Sequence, residues 1–302
     1  MDRRASRLRT LIESPELTFL MEAHNGLSAR IVEEAGFAGI WASGLTMSAS
    51  QTIRDCNEAS WTQVLAGIEF MADATGLPIL VDGDTGHGNF NNVRRFVTKL
   101  EQRGAAGVCL EDKQFPKTNS FVNGNEQTLA DIEEFSGRIK ASKDALQNDQ
   151  FVIVARTEAL VAGRGVGEAL ARAEAYWAAG ADAILVHSAR SDASEVLEFK
   201  RIWGSTLPVI IVPTKYHATP TETFRANGFS VVIWANHLLR AAVTAMQSIA
   251  ARLFAEQCLA TVEPAVATLQ EVFRLQNLDE LLRAERRYLP APAGSDLQRR
   301  IA

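Results

Sequence analysis

The sequence predicts an α/β fold, a closed (β/α)8 barrel followed by C-terminal helices, and three observations support this prediction. Eight short apolar runs recur along the 302-residue chain, helical patterns separate them, and polar side chains follow them directly. Most runs are near-continuous Val, Ile and Leu, which is typical of parallel strands covered on both faces. Eight strands alternating with helices predict a closed parallel barrel.

The eight runs give the predicted strands, at residues 17–23, 38–42, 78–81, 106–110, 151–155, 183–186, 208–212 and 231–234. Helical patterns lie between them, among others at residues 28–35, 61–75, 92–103, 130–145 and 166–179. A glycine precedes four of the runs, at the position where a helix end favours a left-handed residue: Gly36, Gly104, Gly180 and Gly228. A doubly wound open sheet is the alternative, but no Gly-x-Gly-x-x-Gly turn follows the first run.

The C-terminal part of the chain is helical in pattern, at residues 238–257, 262–275 and 278–288. This length exceeds what the last layer of a barrel needs. We therefore predict one domain over residues 1–302, with the barrel at 1–240 and a helical extension at 241–302. The extension serves oligomerisation in this interpretation, and a simple cap on the barrel is the alternative.

Composition limits the classes of partner. The net charge is −5 and no cluster of Lys and Arg is evident, which argues against nucleic acid. No continuous apolar run approaches the ~20 residues of a membrane helix, and no signal-peptide core follows the first residues. Cys56, Cys109 and Cys258 are too widely spaced for a disulfide framework or a zinc ribbon. These features predict a cytoplasmic protein without a nucleic-acid or membrane partner.

Carboxylates follow the predicted strands at the end of the barrel where the strand carboxyl ends meet, which we call the mouth. Asp82 and Asp84 follow the third strand, Glu111 ends the fourth, and Asp55 lies in the loop after the second. Four carboxylates without Cys–His partners favour a hard cation, Mg²⁺ or Mn²⁺. Mg²⁺ keeps several waters, so one direct carboxylate is expected. The alternative is that Asp82 and Asp84 belong to a solvated turn.

Other groups at the mouth suit an anionic ligand. Arg156 ends the fifth strand, and its guanidinium fits a carboxylate or phosphate; an ion pair with Glu158 or a metal-site carboxylate can coexist with that role. The small residues 43–45 can direct backbone N–H groups at an anion. Trp41 and Trp234 end strands and are candidates for the pocket wall.

Residues 113–129 form a long connection without an evident helix or strand, which we call the lid. Such length in a barrel indicates a functional loop. Lys117 and Asn119 would bring an ammonium group and an amide over a bound anion. The loop also contains Asn123, Gly124 and Asn125 and few apolar residues. A surface loop with no chemical role is the alternative.

Residues 111–120 read Glu-Asp-Lys, five further residues, then Asn-Ser. This pattern resembles the signature of the phosphoenolpyruvate mutases in the isocitrate lyase superfamily. Supporting stretches extend the resemblance almost to residue 290, at residues 21–30, 39–45, 54–61, 84–92, 213–216 and 233–237. Gly83, His87 and Thr157 depart from the pattern, which more often has Ala, Tyr and Val there.

The resemblance implies an isomerase of phosphonate metabolism that interconverts phosphoenolpyruvate and 3-phosphonopyruvate with Mg²⁺. It also implies a barrel whose last helix is exchanged between subunits, giving dimers that pair into tetramers. By the same resemblance Asp82 binds the metal directly, and three carboxylates act through water: Asp55, Asp84 and Glu111.

The resemblance also assigns the substrate contacts. Residues Ser43, Gly44 and Leu45 hold the carboxylate and oxo end, and Arg156 and His187 surround the transferring group. Lys117 and Asn119 belong to the gating loop, and we place Trp41 and Ser120 among the substrate-binding residues. Whether Asp55 only orients the site or attacks phosphorus stays open.

Two related activities are rivals. Phosphonopyruvate hydrolases resemble this chain but usually have Thr at position 119, so Asn119 favours the mutase. Lyases of the 2-methylisocitrate type carry a loop with a catalytic Cys, and residues 117–120 here read Lys-Thr-Asn-Ser. A non-catalytic barrel would be expected to have lost a metal carboxylate or Arg156, and both are present.

Overall fold

The computed structural model describes residues 3–120, 122 and 127–290. Eight parallel strands form a closed barrel in chain order: β1 (Thr18–Ala23), β2 (Gly39–Ala42), β3 (Ile79–Asp82), β4 (Gly107–Glu111), β5 (Val152–Thr157), β6 (Ala183–Val186), β7 (Val209–Ile211) and β8 (Val231–Trp234). The predicted (β/α)8 barrel is therefore confirmed. The barrel closes where β8 pairs with β1, with Trp234 opposite Met21.

One helix precedes β1, and at least one helix follows each strand along the chain. Their bounds are α1 (Arg4–Glu13), α2 (Gly26–Glu34), α3 (Gly44–Ser50), α4 (Trp61–Ala74), α5 (Phe90–Gln102), α6 (Ile132–Ala145), α7 (Gly165–Ala178), α8 (Ser194–Trp203), α9 (Thr221–Ala226) and α10 (His237–Glu256). In α5 the buried residues recur at helical spacing, as Val93, Phe96, Val97 and Leu100. This apolar stripe packs the helix against the strands.

The sequence patterns fix where several helices begin and end. The side chains of Asn25, Ser60 and Asn89 accept backbone N–H groups at the starts of α2, α4 and α5, as N-cap residues do. The four glycines before strands have φ between +70° and +99°. Only glycine adopts this conformation without a steric cost, so these positions end a helix and turn the chain into a strand.

Two layers of apolar side chains form the core. One lies between the strands and the helices, and the other fills the inside of the barrel. Leu8 and Ile12 of α1 belong to the inner layer, so α1 closes the amino end of the barrel. The sequence patterns above do not include α1, although its buried residues Ala5, Leu8 and Ile12 have helical spacing.

The chain divides into two compact units, residues Met1–Ala242 and Val243–Ala302. The first contains the barrel. In the described part of the second lie the end of α10, a short 3-10 turn (Glu263–Ala265), α11 (Leu269–Leu275) and α12 (Leu278–Tyr288). None of these elements has a buried residue.

One helix among the described residues has the length and composition of a membrane-crossing segment. It is α10, with 20 residues and a mean hydropathy of 1.2 over its most apolar window. Arg240, Gln247 and Arg252 interrupt its apolar residues. The chain therefore has no continuous apolar run of membrane-spanning length, but the mean hydropathy of α10 reaches the range of such segments.

Candidate active site

The mouth contains a cavity that brings together most of the predicted site residues. Strand ends supply Ser43, Asp82, Arg156 and His187, and the lid lies above them. The lining residues are Trp41, Ser43, Leu45, Asp55, Asp82, Lys117, Asn119, Ser120, Arg156, His187, Val212, Thr214, Ala235 and Asn236. Of the residues predicted to bind the metal or the substrate, those outside this lining are Gly44, Asp84 and Glu111, and each contacts a residue of the mouth.

Asp82 and Asp84 converge on the backbone of Gly44. A Cβ at Gly44 would lie 3.1 Å from Asp84 Oδ1 and 3.2 Å from Asp82 Oδ2. The N–H of Gly44 donates to Asp82 Oδ2 at 3.2 Å. In the structure the backbone N–H of Gly44 is thus bonded to a carboxylate of the protein itself. A side chain at position 44 would fill the space between the two carboxylates.

Lys117 joins the lid to these carboxylates. Its Nζ lies 2.8 Å from Asp55 Oδ1 and 2.5 Å from Asp84 Oδ1. Asn57 reinforces the contact, because its Nδ2 donates to Asp84 Oδ2 at 2.8 Å while its Oδ1 accepts the N–H of Lys117 at 2.7 Å. Asn119 Nδ2 donates to Asp55 Oδ2 at 2.8 Å. These contacts place the described lid residues across the mouth.

Burial and mutual repulsion shift the pKa values of these groups. Burial, together with the charges of Asp82 and Asp55, raises the pKa of Asp84 to about 7, although Lys117 opposes the shift. Burial would also raise the pKa of Asp55, but Lys117 and Asn119 outweigh it and lower that pKa. Burial raises the pKa of Glu111 despite nearby cations. Lys117 therefore does not fully offset the burial of Asp84 and its repulsion by the neighbouring carboxylates.

Arg156 combines an ion pair with a place in the cavity lining. Its Nε donates to Glu158 Oε1 at 2.6 Å and lies 3.5 Å from Glu111 Oε2. Its Nη2 donates to Ser120 Oγ at 3.0 Å. The ion pair that the sequence allowed for Arg156 is therefore present, and the side chain still lines the cavity.

His187 lies beside this arginine and is 2% exposed. Burial and the positive charge of Arg156 both disfavour the imidazolium form, so the pKa of His187 falls to about 3. The ring is therefore neutral near pH 7. It can contribute one N–H donor and one acceptor to a ligand, but no positive charge.

The donor set at the mouth fits a hydrated hard cation. Among the described residues no three His, Cys, Asp or Glu side chains are grouped to ligate one ion directly. Mg²⁺ does not need such a group, because it retains waters and binds through one or two carboxylates. Glu111 Oε1 is buried without a hydrogen bond from a described residue. This oxygen and the excess negative charge are consistent with a divalent cation at the mouth.

The structure adds residues to the site that were not assigned to it from the sequence. Asn57 fastens the lid to Asp84, and no sequence pattern marks this single loop residue. Thr214 and Asn236 line the cavity from the ends of β7 and β8. They follow strands just as the predicted residues do, so their position was the available signal.

The prediction that Trp234 forms part of the pocket wall is wrong, whereas Trp41 does line the cavity. Trp234 stacks on Phe19 outside the barrel, with ring centroids 4.9 Å apart. Side chains alternate along a strand, so Ile233 and Ala235 point inward instead.

The two ends of the lid are paired, although the sequence showed no element there. Lys113 and Leu129 form an antiparallel bridge, and the N–H of Gln114 donates to Thr128 O at 3.1 Å. Pairing at its base fixes where the lid leaves and rejoins the barrel. Asn123, Gly124 and Asn125 lie outside the described residues.

A closed barrel with carboxylates, an arginine and a lid at its mouth is the architecture of a (β/α)8-barrel enzyme. Residues 8–254 match the family model described as phosphoenolpyruvate phosphomutase, and the chain belongs to this family. It is 58% identical to the phosphoenolpyruvate phosphomutase of Tetrahymena pyriformis over 287 residues, which cover 95% of this chain and 96% of that protein.

Two solved structures of similar proteins superpose on this chain over nearly its whole length. The phosphoenolpyruvate phosphomutase of Streptomyces platensis subsp. rosaceus superposes with a TM-score of 0.92 and 43% identity, over 95% of this chain and 99% of that one. A phosphonopyruvate hydrolase in complex with oxalate and Mg²⁺ superposes with a TM-score of 0.89 and 38% identity, over 95% and 99% of the two chains. The mutase and the hydrolase thus share one fold.

Proposed function

We propose that the protein is a phosphoenolpyruvate mutase, an isomerase that interconverts phosphoenolpyruvate and 3-phosphonopyruvate in phosphonate metabolism. The observation that carries the proposal is the lid contact at the mouth, where Asn119 binds Asp55 beside Arg156 in a single cavity. The reaction moves one phosphoryl group within one substrate. Such a transfer requires positioning and neutralisation of charge more than proton transfer.

The substrate carries a carboxylate and a phosphoryl or phosphonyl group, so the site must hold two anionic ends. We assign the transferring group to Arg156, Asn119 and His187, which line one cavity. We assign the carboxylate and oxo end to Ser43, Gly44 and Leu45. The ring of Trp41, 2% exposed, forms part of the wall.

We propose Mg²⁺ as the cofactor, with Mn²⁺ as the alternative. Asp82 would hold it directly, and Asp55, Asp84 and Glu111 would hold it through water, in keeping with the preference of Mg²⁺ for oxygen ligands. When bound, the metal would neutralise charge that develops on the pyruvate enolate. The known complex of the hydrolase relative contains Mg²⁺ and oxalate, which supports this choice.

The protein residues have separate tasks in this mechanism. Arg156 orients the phosphoryl oxygens, because Glu158 holds the guanidinium in place at 2.6 Å. The lid keeps water away from the phosphorus, because attack by water would release phosphate. Both oxygens of Asp55 contact lid residues, Lys117 and Asn119. This geometry supports an orienting role for Asp55 over covalent attack.

The rival activity is hydrolysis of phosphonopyruvate to pyruvate and phosphate. The identity of residue 119, Asn rather than Thr, favours the mutase. Purified protein should be incubated with phosphonopyruvate and Mg²⁺ and followed by phosphorus NMR. We expect conversion to phosphoenolpyruvate; free phosphate together with pyruvate would assign the protein to the hydrolases instead.

We also propose that the protein is a homo-oligomer, a dimer with exchanged helices that pairs into a tetramer. The outer face of the barrel carries an apolar groove of about 360 Å³ that includes Phe19, Phe37 and Trp234. No residue of α10 is buried, and its apolar side chains would fit such a groove on a second copy. Light scattering of the wild-type protein and of Trp234→Glu tests this, and we expect the variant to dissociate.

All three cysteines are free, as a reducing compartment allows. This supports a cytoplasmic location, which we propose together with a small anionic substrate as the ligand. The proposal includes no nucleic acid and no membrane.

A further inference from the structure

A buried ionic cluster lies beneath the lid, formed by Lys113, Glu158 and the hydroxyl of Ser120, and we call it the latch. Lys113 is 2% exposed and Glu158 is fully buried. Neither of these two side chains lines the cavity. Burying two opposite charges costs free energy unless each has partners in good geometry. The partners of Lys113 and Glu158 therefore indicate what the two side chains hold in place.

Lys113 directs its hydrogen-bond donors at the lid. Its Nζ donates to Ser120 Oγ at 2.7 Å and to the backbone oxygen of Thr118 at 3.0 Å. The same ammonium lies 3.3 Å from Glu158 Oε2 and 3.7 Å from Glu111 Oε1. An ammonium group has three donors. Two of them hold residues of the lid, and the remaining one faces the carboxylates.

The hydroxyl of Ser120 has its full set of partners within the protein. It donates to Glu158 Oε2 at 2.8 Å and accepts from Lys113 Nζ and from Arg156 Nη2. A serine hydroxyl has one proton and two lone pairs, and all are used here. Ser120 is therefore the point at which the lid joins the charged groups of β4 and β5.

Glu158 links the same contact to the substrate-orienting arginine. Its second oxygen accepts from Arg156 Nε at 2.6 Å. Burial alone would raise the pKa of Glu158, but Arg156 and Lys113 outweigh burial and hold that pKa far below its usual range. Glu158 is thus an anion that contacts Arg156 through Oε1 and contacts Ser120 and Lys113 through Oε2.

We propose that Lys113 and Glu158 are positioning residues, which hold Ser120 and with it the described lid residues 117–120 at the mouth so that the phosphoryl group passes within the substrate and not to water. The proposal rests on the isomerase function proposed above. In the productive reaction the C–P bond breaks and the enolate oxygen bonds to phosphorus. When water enters, its oxygen bonds to phosphorus instead and the enolate carbon takes a proton, which gives phosphate and pyruvate.

The first test compares the products of four proteins. Wild type, Lys113→Met, Glu158→Gln and the control Gln114→Ala are incubated with phosphonopyruvate and Mg²⁺, and phosphorus NMR gives the ratio of phosphate to phosphoenolpyruvate. Gln114 is exposed on the same loop. In the latch variants we expect this ratio to rise about tenfold and kcat to fall more than KM changes, in line with losing a hydrogen bond to a charged group. The control should match wild type.

The second test needs no substrate. Trypsin cleaves after Lys117, which is 5% exposed in the closed lid. Opening of the lid exposes this bond, so cleavage there reports on the latch. We expect cleavage after Lys117 to become about tenfold faster in Glu158→Gln and Lys113→Met than in wild type or Gln114→Ala.

The outcomes separate the two proposals. Folded latch variants with the phosphate ratio and cleavage rate of wild type would overturn the role of the latch. If Lys113→Met does not fold, Ser120→Ala, which removes no charge, takes its place with the same expectations. A wild-type protein that forms no phosphoenolpyruvate would overturn the isomerase function, and the cleavage test would still decide whether the latch holds the lid.

Discussion

At the amino end of the barrel α1 fills the interior with Leu8 and Ile12, whereas at the mouth most of the buried groups are polar or charged. The ion pair that Arg9 of α1 forms with Asp182 at 3.0 Å is partly exposed, with 21% and 13% of the two side chains accessible. At the mouth Lys117 and Arg156 pair with carboxylates and are 5% and 11% exposed. Apolar side chains thus fill the amino end, whereas the mouth buries ion pairs.

The difference indicates how the fold divides its tasks. Apolar burial stabilises a protein by about 25 cal/mol per Å², while buried ion pairs contribute little net stability and often mark functional sites. We therefore expect substitutions at the mouth to affect activity and substitutions at the amino end to affect stability.

Removal of divalent metal should have the largest effect. The carboxylates at the mouth outnumber the cations that face them, so charge on the substrate enolate would have no counter-ion without a metal. We expect EDTA to abolish turnover of phosphonopyruvate and added Mg²⁺ to restore it, while the far-ultraviolet circular dichroism stays the same. Turnover that persists in EDTA would show that the reaction does not require a divalent metal.

Asn119→Ala should come next. Its amide contacts Asp55 at 2.8 Å and faces the cavity, and the loss of one such donor typically lowers kcat about 100- to 1000-fold. The neighbouring Thr118 is exposed, so Thr118→Ala is the matched control and should keep normal turnover. Both variants should have the melting temperature of the wild type. An unchanged kcat in Asn119→Ala would show that this residue is not part of the active site.

Leu8→Ala tests the amino end. Leu8 is fully buried, and deleting a buried leucine side chain costs about 2–5 kcal/mol of unfolding free energy. We expect urea denaturation to show this loss while kcat well below the melting temperature stays within about twofold of wild type. A large fall in kcat without loss of stability would contradict the division between the two ends.

His87 gives the smallest predicted effect, in the dependence of stability on pH. Burial and then Lys117 lower its pKa from 6.5 to about 4. The unfolded chain therefore takes up the proton first, and the free energy of unfolding falls as pH drops through this window, by at most about 3 kcal/mol.

His87→Tyr should remove this part of the pH dependence, because tyrosine does not titrate between those values. His217 is exposed, so His217→Tyr serves as the control. Urea unfolding at several pH values measures the slope. An equal slope in wild type and His87→Tyr would show that the ring of His87 does not titrate differently on folding.

The sequence predicted the barrel and most residues of the mouth, because both depend on local patterns. Buried strands show as apolar runs, and polar residues after strands converge through the topology of the barrel. The helix α1 had a usable signal in the spacing of Ala5, Leu8 and Ile12, and the alternation along β8 would have placed Trp234 outside.

Other contacts could not be read from the sequence. The bonds of Asn57 to Asp84 and of Lys113 to Ser120 depend on how the lid lies on the strands. The spacing of residues along the chain does not indicate which lid residue meets which strand residue. Such contacts follow only from the tertiary structure, and they are the ones that hold the lid over the mouth.

In the proposed reaction the phosphoryl group moves within one substrate while the lid excludes water. The most direct measurement is turnover of phosphonopyruvate with Mg²⁺ in water labelled with heavy oxygen, followed by phosphorus NMR and mass spectrometry. We expect phosphoenolpyruvate in which the three non-bridging oxygens on phosphorus contain no label. Labelled inorganic phosphate with an equal amount of pyruvate as the main products would contradict it.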